Sequence, residues 1–213
     1  MHRYDINRQR LALGLAFLAG QTDAIGFIVA GGYFTSFMSG NTTRLGVDLV
    51  EAASTALVPL GIIGSFMVGV VAGATTANRW ANWRKRILLA VVTLLLGLGA
   101  IAALGGANAV FLAAAAAAMG FANNTFIRNG EVTVGVTYMT GALVRFGQGL
   151  AARLSGRPAS SMRGYGSLWL ALAAGAASGA WLYTIDRALA PFAIFGVAGL
   201  LCVFAFRIEG KDS

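Results

Sequence analysis

Cysteine and histidine each occur once in this 213-residue chain, and only 11% of its residues are charged. The cysteine, Cys202, lies in an apolar run, so there is no disulfide framework and no CxxC pair. The histidine, His2, sits next to the start. Ordinary zinc sites and Ser-His or Cys-His catalysis therefore lack their residues. No Gly-rich nucleotide-binding loop is present, so transport driven by the chain's own ATP hydrolysis is excluded. Neither enzymatic activity nor a bound cofactor or metal is expected. The shortage of charge also argues against a soluble domain, which carries about 25% charged residues. Apolar residues fill the chain instead: 57% are hydrophobic and the mean hydropathy is +0.72. A soluble fold of this size could not hide so much apolar surface, so a polytopic protein of the lipid bilayer is expected.

A transmembrane helix needs about 20 mostly apolar residues. Six stretches qualify: Leu11–Tyr33, Leu57–Ala77, Ile87–Leu104, Ala109–Ile127, Ser167–Thr184 and Ala188–Phe206. The fourth has the weakest hydropathy because it is largely alanine. The first follows Arg3, Arg8 and Arg10 but is longer than a signal core and is followed by further spans, so no cleavable signal is expected. The net charge of +8 resides in short segments between the apolar runs, which reads as topology and not as a nucleic-acid footprint. With the start inside, the inside segments hold 14 of the Lys and Arg residues and the outside segments only Arg44 and Arg187. The positive-inside rule then puts both termini in the cytoplasm. Arg79, Arg84, Lys85 and Arg86 with Trp80 and Trp83 read as an interface anchor, as do Trp169, Trp181 and Tyr183.

An internal repeat organises the rest. The segment Ser36–Gly46, SFMSGNTTRLG, returns 101 residues later as Thr137–Gly147, TYMTGALVRFG. Met38, Gly40, Arg44 and Gly46 match Met139, Gly141, Arg145 and Gly147, while Asn41-Thr42-Thr43 becomes Ala142-Leu143-Val144. Gly64-Ser65 and Ala72-Gly73-Ala74 find a second match in Gly166-Ser167 and Ala174-Gly175-Ala176, now 102 residues on. The chain thus reads as one integral membrane domain in two three-span units, 1–104 and 105–213. Three is odd, so the second unit is inverted relative to the first. The predicted fold is all-α, with six transmembrane helices in two inverted repeats and a polar, glycine-bearing motif after the first span of each.

Candidate site residues come from these motifs and from the few polar groups inside spans. Ser39 and Thr140 suit helix N-caps, with Gly40 and Gly141 giving little bulk beside them. Arg44, Asp48 and Glu51 fall on one helical face; Arg145, Gln148 and Ala152 take the similar face of the second copy. If the motif helices dip into the membrane, two opposed N-termini meet near the midplane. If they lie flat, each arginine snorkels to headgroups. Asp23 is the one acid within a predicted span, with Asn124 as its repeat mate and Asn123 alongside. An intramembrane acid is a functional candidate; the structural alternative is an ion pair with Arg44 or Arg145. Gly61, Gly64, Gly69 and Gly73, and the Gly175-xxx-Gly179 pair, permit close helix packing within the chain or across a homodimer.

Gln21–Asp23, then FMSGNTTRLG, then the MTGALVRFG echo before a long basic loop, resemble the YoaK family of bacterial six-span membrane proteins. The usual Thr-Gly-Asn of that family reads Ser39-Gly40-Asn41 here. The resemblance covers nearly the whole chain and implies fold and location; the family is a domain of unknown function and implies no activity. The residues themselves point to a transporter or channel for a small polar or anionic solute. In that reading Arg44 and Arg145 bind or gate, Asp23 pairs or relays a proton, and Asn41, Asn123 and Asn124 hydrogen-bond. The alternative is a non-transporting scaffold or partner subunit.

Overall fold

The computed structural model describes residues 5–128, 131–132, 135, 137–158 and 162–209. His2, Arg3, Lys211 and parts of the loop between the fourth and fifth expected spans lie outside the described residues. Among the described residues eight α-helices follow one another: α1 Ile6–Val29, α2 Met38–Glu51, α3 Leu57–Arg79, α4 Arg84–Leu104, α5 Asn108–Ala122, α6 Met139–Leu154, α7 Met162–Ile185 and α8 Ala190–Glu209. A short 3-10 turn, Ala81–Trp83, precedes α4, and Ile127–Arg128 pairs antiparallel with Glu131–Val132. Helices satisfy their own backbone polar groups, which lipid cannot do for them.

Five of these helices, α1, α3, α4, α7 and α8, are long and apolar enough to cross a membrane. The expected fourth span is not among them. Its helix, α5, has 15 residues, or about 22 Å of rise against a bilayer core of about 30 Å. It stops at Ala122 for a local reason. Asn123 donates from Nδ2 to the Met119 carbonyl (3.0 Å), and Asn124 donates to that of Gly120 (3.1 Å). Amide side chains bonding back to the preceding turn in this way offer the backbone an alternative to helix. Hydropathy alone carried the span past them.

At its other end the chain begins helix earlier than expected, because Asp5 caps α1 by accepting from the Arg8 backbone N–H (2.8 Å). The α1 helix ends before Gly31 and Gly32, whose φ angles of 67° and 114° turn the chain back on itself. That turn needs glycine, since a side chain is strained at such φ.

Packing is by crossed pairs. The α1 helix lies against α7, α3 against α5, and α4 against both α5 and α8; the motif helices α2 and α6 rest on α3 and α7. The core holds Leu11, Leu15, Leu18 and Ile25 of α1 with Leu96, Phe111, Met119 and Ile194, all nearly or wholly inaccessible. Two seams are of backbone on backbone. A Cβ on Gly20 would strike the Leu172 carbonyl, and one on Gly175 or Gly179 would strike the α1 backbone at Phe17 or Gln21. A Cβ on Gly120 would strike the Phe66 carbonyl, and one on Gly69 that of Ala117. These glycines therefore serve contacts within the chain. The contacts correspond one to one at spacings of 100 residues for α1 and α5 and 106 for α3 and α7. The spacing of 102 read from Gly64-Ser65 and Gly166-Ser167 is thus corrected: in a stretch rich in Gly and Ala several alignments look alike, and packing selects one. A Cβ on Gly61 or Gly64 would meet open space.

Candidate functional site

The first motif is built around Asp23, in the last third of α1. Its Oδ1 accepts from the Thr35 backbone N–H (2.9 Å), the Thr35 hydroxyl (3.1 Å) and the Ser36 N–H (2.6 Å); its Oδ2 accepts from the Ser36 hydroxyl (2.6 Å). Four donors satisfy a carboxylate that would otherwise be costly at that depth. Thr35 and Ser36 immediately precede α2, so Asp23 draws the start of α2 inward along α1. The alternative of an ion pair with Arg44 or Arg145 does not form; the carboxylate is held by hydroxyls and amides.

The remaining polar residues of this motif secure the same turn. Asn41 is fully buried, accepting from the Phe34 N–H (2.8 Å) and donating to the Phe34 carbonyl (2.6 Å). Arg44 donates from Nε to the Gly32 carbonyl (3.1 Å) and lies 5.6 Å from the centre of the Tyr33 ring. The Tyr33 hydroxyl donates to Asp48 Oδ2 (2.7 Å). That bond to a carboxylate, with partial burial, pushes the phenol's pKa above its ordinary value. Arg44 and Asp48, one turn apart on α2, therefore grip either side of the Gly32–Tyr33 turn.

The second motif repeats this frame with fewer ties. The Thr137 hydroxyl donates to Asn123 Oδ1 (3.2 Å), as Ser36 does to Asp23. Asn123, not Asn124, is thus the counterpart of Asp23. Asn124 reaches the other way, to the Val70 carbonyl (3.2 Å), and joins α5 to α3. Ala142 and Gly149 stand where the first copy has Asn41 and Asp48. Arg145 donates to the Tyr165 hydroxyl (2.6 Å) and lies over that ring at 5.2 Å. Ser39 and Thr140 are not N-caps. Phe37 and Tyr138 occupy those positions with no capping side chain, and Ser39 and Thr140 fall in the first turns.

What the motifs share is space. A cavity of about 350 Å³ is lined by Ser36, Phe37, Met38 and Ser39 from one copy and by Thr137, Tyr138, Met139, Thr140 and Gly141 from the other. The starts of α2 and α6 face each other across it. A second, more apolar cavity of about 500 Å³ adjoins it through Phe37, Thr137, Met139 and Thr140 and extends between α1 and α7. Asp23 sits on its wall. Of the sequence candidates, Asp23, Ser39, Thr140 and Gly141 line these cavities; Gly40, Asn41, Arg44, Asn123, Asn124 and Arg145 do not. Sequence reasoning missed Thr35, Phe37 and Tyr138 as site residues and Tyr33 and Tyr165 as partners of the arginines. The like-for-like pairs Phe37/Tyr138 and Ser36/Thr137 were the available signal.

These spans and buried polar hinges define a multi-pass α-helical membrane protein. The chain belongs to the family described as "Protein of unknown function (DUF1275)", whose model matches residues 11–206. It is 38% identical over 218 residues to a UPF0700 transmembrane protein, RA0705, of Rhizobium meliloti; the match covers 97% of this chain and 92% of the relative. No solved structure matches.

Proposed function

We propose that the chain is an inner-membrane transporter or channel for a small solute, built as two inverted units, 1–104 and 105–213, with both termini in the cytoplasm. The observation that carries this reading is the cavity shared by the starts of α2 and α6. Discontinuous helices whose N-termini meet between two repeats are how many transporters make a central site. The one-to-one correspondence of the α1–α7 and α5–α3 seams supports the two-unit architecture. In it α5, together with the turn that follows, serves as the sixth span. Non-helical backbone at that depth is tolerated where protein or a cavity surrounds it, and Asn123 and Thr125 are buried among protein. The arginines act as posts that fix each motif helix, and the solute meets Ser39, Thr140 and their neighbours. No catalysis is assigned to the chain.

Uptake into proteoliposomes tests this. Small polar solutes should enter faster with wild-type protein than into empty vesicles, and Ser39→Trp or Thr140→Trp should abolish the difference while the protein stays folded. Uptake equal to that of empty vesicles for every solute would support the scaffold reading. That reading draws on the exposed Gly61 and Gly64 of α3, where a Cβ would meet open space and a second copy could pack closely.

A further inference from the structure

The two adjoining cavities differ in character, and that difference bears on the solute. The larger is lined by Gly20, Ala24 and Phe27 of α1 and Ala176 of α7 together with Phe34 and Phe37, so it is almost wholly apolar. The smaller offers the hydroxyls of Ser39 and Thr140 beside Tyr138. Asp23 and Tyr138 are the ionisable residues among those lining either cavity. Asp23 already accepts four hydrogen bonds, and both motif arginines lie elsewhere, one on Gly32 and Tyr33 and the other on Tyr165. Among the described residues an anion would find no cationic side chain here, only the partial positive charge of the two helix starts, and a cation only a carboxylate whose bonds it would have to break. Leaving a charge unpaired at such depth costs several kcal/mol.

The larger cavity is also one-sided. At the spacings of 100 and 106 residues set by the seams, Ala24 corresponds to Asn124 and Ala176 to Val70. Those two counterparts are joined by the Asn124-to-Val70 hydrogen bond, which bridges the crevice between α3 and α5. Small residues at Ala24 and Ala176 leave the crevice between α1 and α7 open. Both volumes fall within the roughly 300–1,000 Å³ of small-molecule sites.

We infer that the site takes an uncharged amphiphile, with a short aliphatic or aromatic body between α1 and α7 and a hydroxyl or amide head among the motif serine and threonine hydroxyls. This rests on the transport reading and narrows the solute from polar or anionic to neutral. The discriminating probes are 2-phenylethanol, phenylacetate and phenethylammonium, alike in shape and different in charge near neutral pH. Thermal unfolding of nanodisc-embedded protein is compared between wild type and Ala176→Val, with Ala24→Asn as a second filled variant. Taking the difference between proteins in identical nanodiscs removes the effect of probe dissolved in lipid.

The alcohol should raise the wild-type midpoint and leave both filled variants unmoved, with neither ion matching it. Equal stabilisation by phenylacetate or phenethylammonium would overturn the neutral class. If no probe distinguishes wild type from the filled variants, the apolar cavity is not the binding site. Solute uptake that is still blocked by Ser39→Trp would then show that the transport reading survives without this inference.

Discussion

Replacing Asp23 with Ala removes the acceptor for the four donors of Thr35 and Ser36 just before α2. Thr35 is inaccessible and Ser36 nearly so, so water cannot take over readily. Two backbone N–H groups lose their partner, at about 1–3 kcal/mol each for a buried unsatisfied donor, or roughly 2–6 kcal/mol together. Because local opening governs amide exchange, the Thr35 and Ser36 amides should exchange faster by a factor of about 30 to about 10⁴. The matched change, Asn123→Ala, deletes one neutral bond from Thr137, worth about 1 kcal/mol, and should accelerate exchange around Thr137 by only about five-fold. Asp23→Asn should fall between, since its carbonyl can keep the three Oδ1 donors while their charge assistance is lost and Nδ2 cannot accept from the Ser36 hydroxyl. Hydrogen exchange with mass spectrometry on nanodisc-embedded protein reads all three variants. Equal acceleration in Asp23→Ala and Asn123→Ala, or rapid exchange of Thr35 and Ser36 in the wild type, would refute the reasoning.

Other consequences follow from the same contacts. Gly20→Ala or Gly175→Ala should lower thermal stability by about 1–3 kcal/mol, because the new methyl meets backbone that cannot move aside, while Gly64→Ala should be nearly silent in the same melt. Arg145→Gln should lose the Tyr165 stack, costing about 0.5–1 kcal/mol at this exposed site, without changing which solutes enter proteoliposomes; a changed solute preference would return the arginine to the binding role. Tyr33 has a raised pKa, so its hydrogen bond to Asp48 contributes stability that is present below the ordinary phenol pKa and lost as pH rises through the raised one. Alkaline melts should therefore separate wild type from Tyr33→Phe in mildly basic buffer and bring them together at higher pH.

The sequence exposed the membrane class, five of the spans and the paired motifs, because hydropathy and a repeated Met-x-Gly-x-x-x-Arg-x-Gly pattern are local signals. It did not expose what the motif residues hold. Asp23 finds Thr35 and Ser36 only after the Gly31–Gly32 turn folds the chain back, and no window along the chain shows that return. Two repeated arginines in a greasy chain suggested ligand contacts, yet each has an aromatic and a polar partner nearby. The tyrosines that bind them, Tyr33 and Tyr165, stand before one motif and after the other. For that reason the repeat did not flag them. The end of α5 was missed because Asn123 and Asn124 act through hydrogen bonds to their own helix, which average hydropathy does not register.

The inverted arrangement is the claim on which the proposed site depends, and labelling from one side of the membrane tests it most directly. Thr55 follows α2 and Ser155 follows α6, and both are exposed. With Cys202→Ser as background, an impermeant maleimide applied to spheroplasts should label Thr55→Cys and should reach Ser155→Cys only after the membrane is opened. Labelling of both from the same side would place the two motifs in parallel and remove the basis for a central site between them.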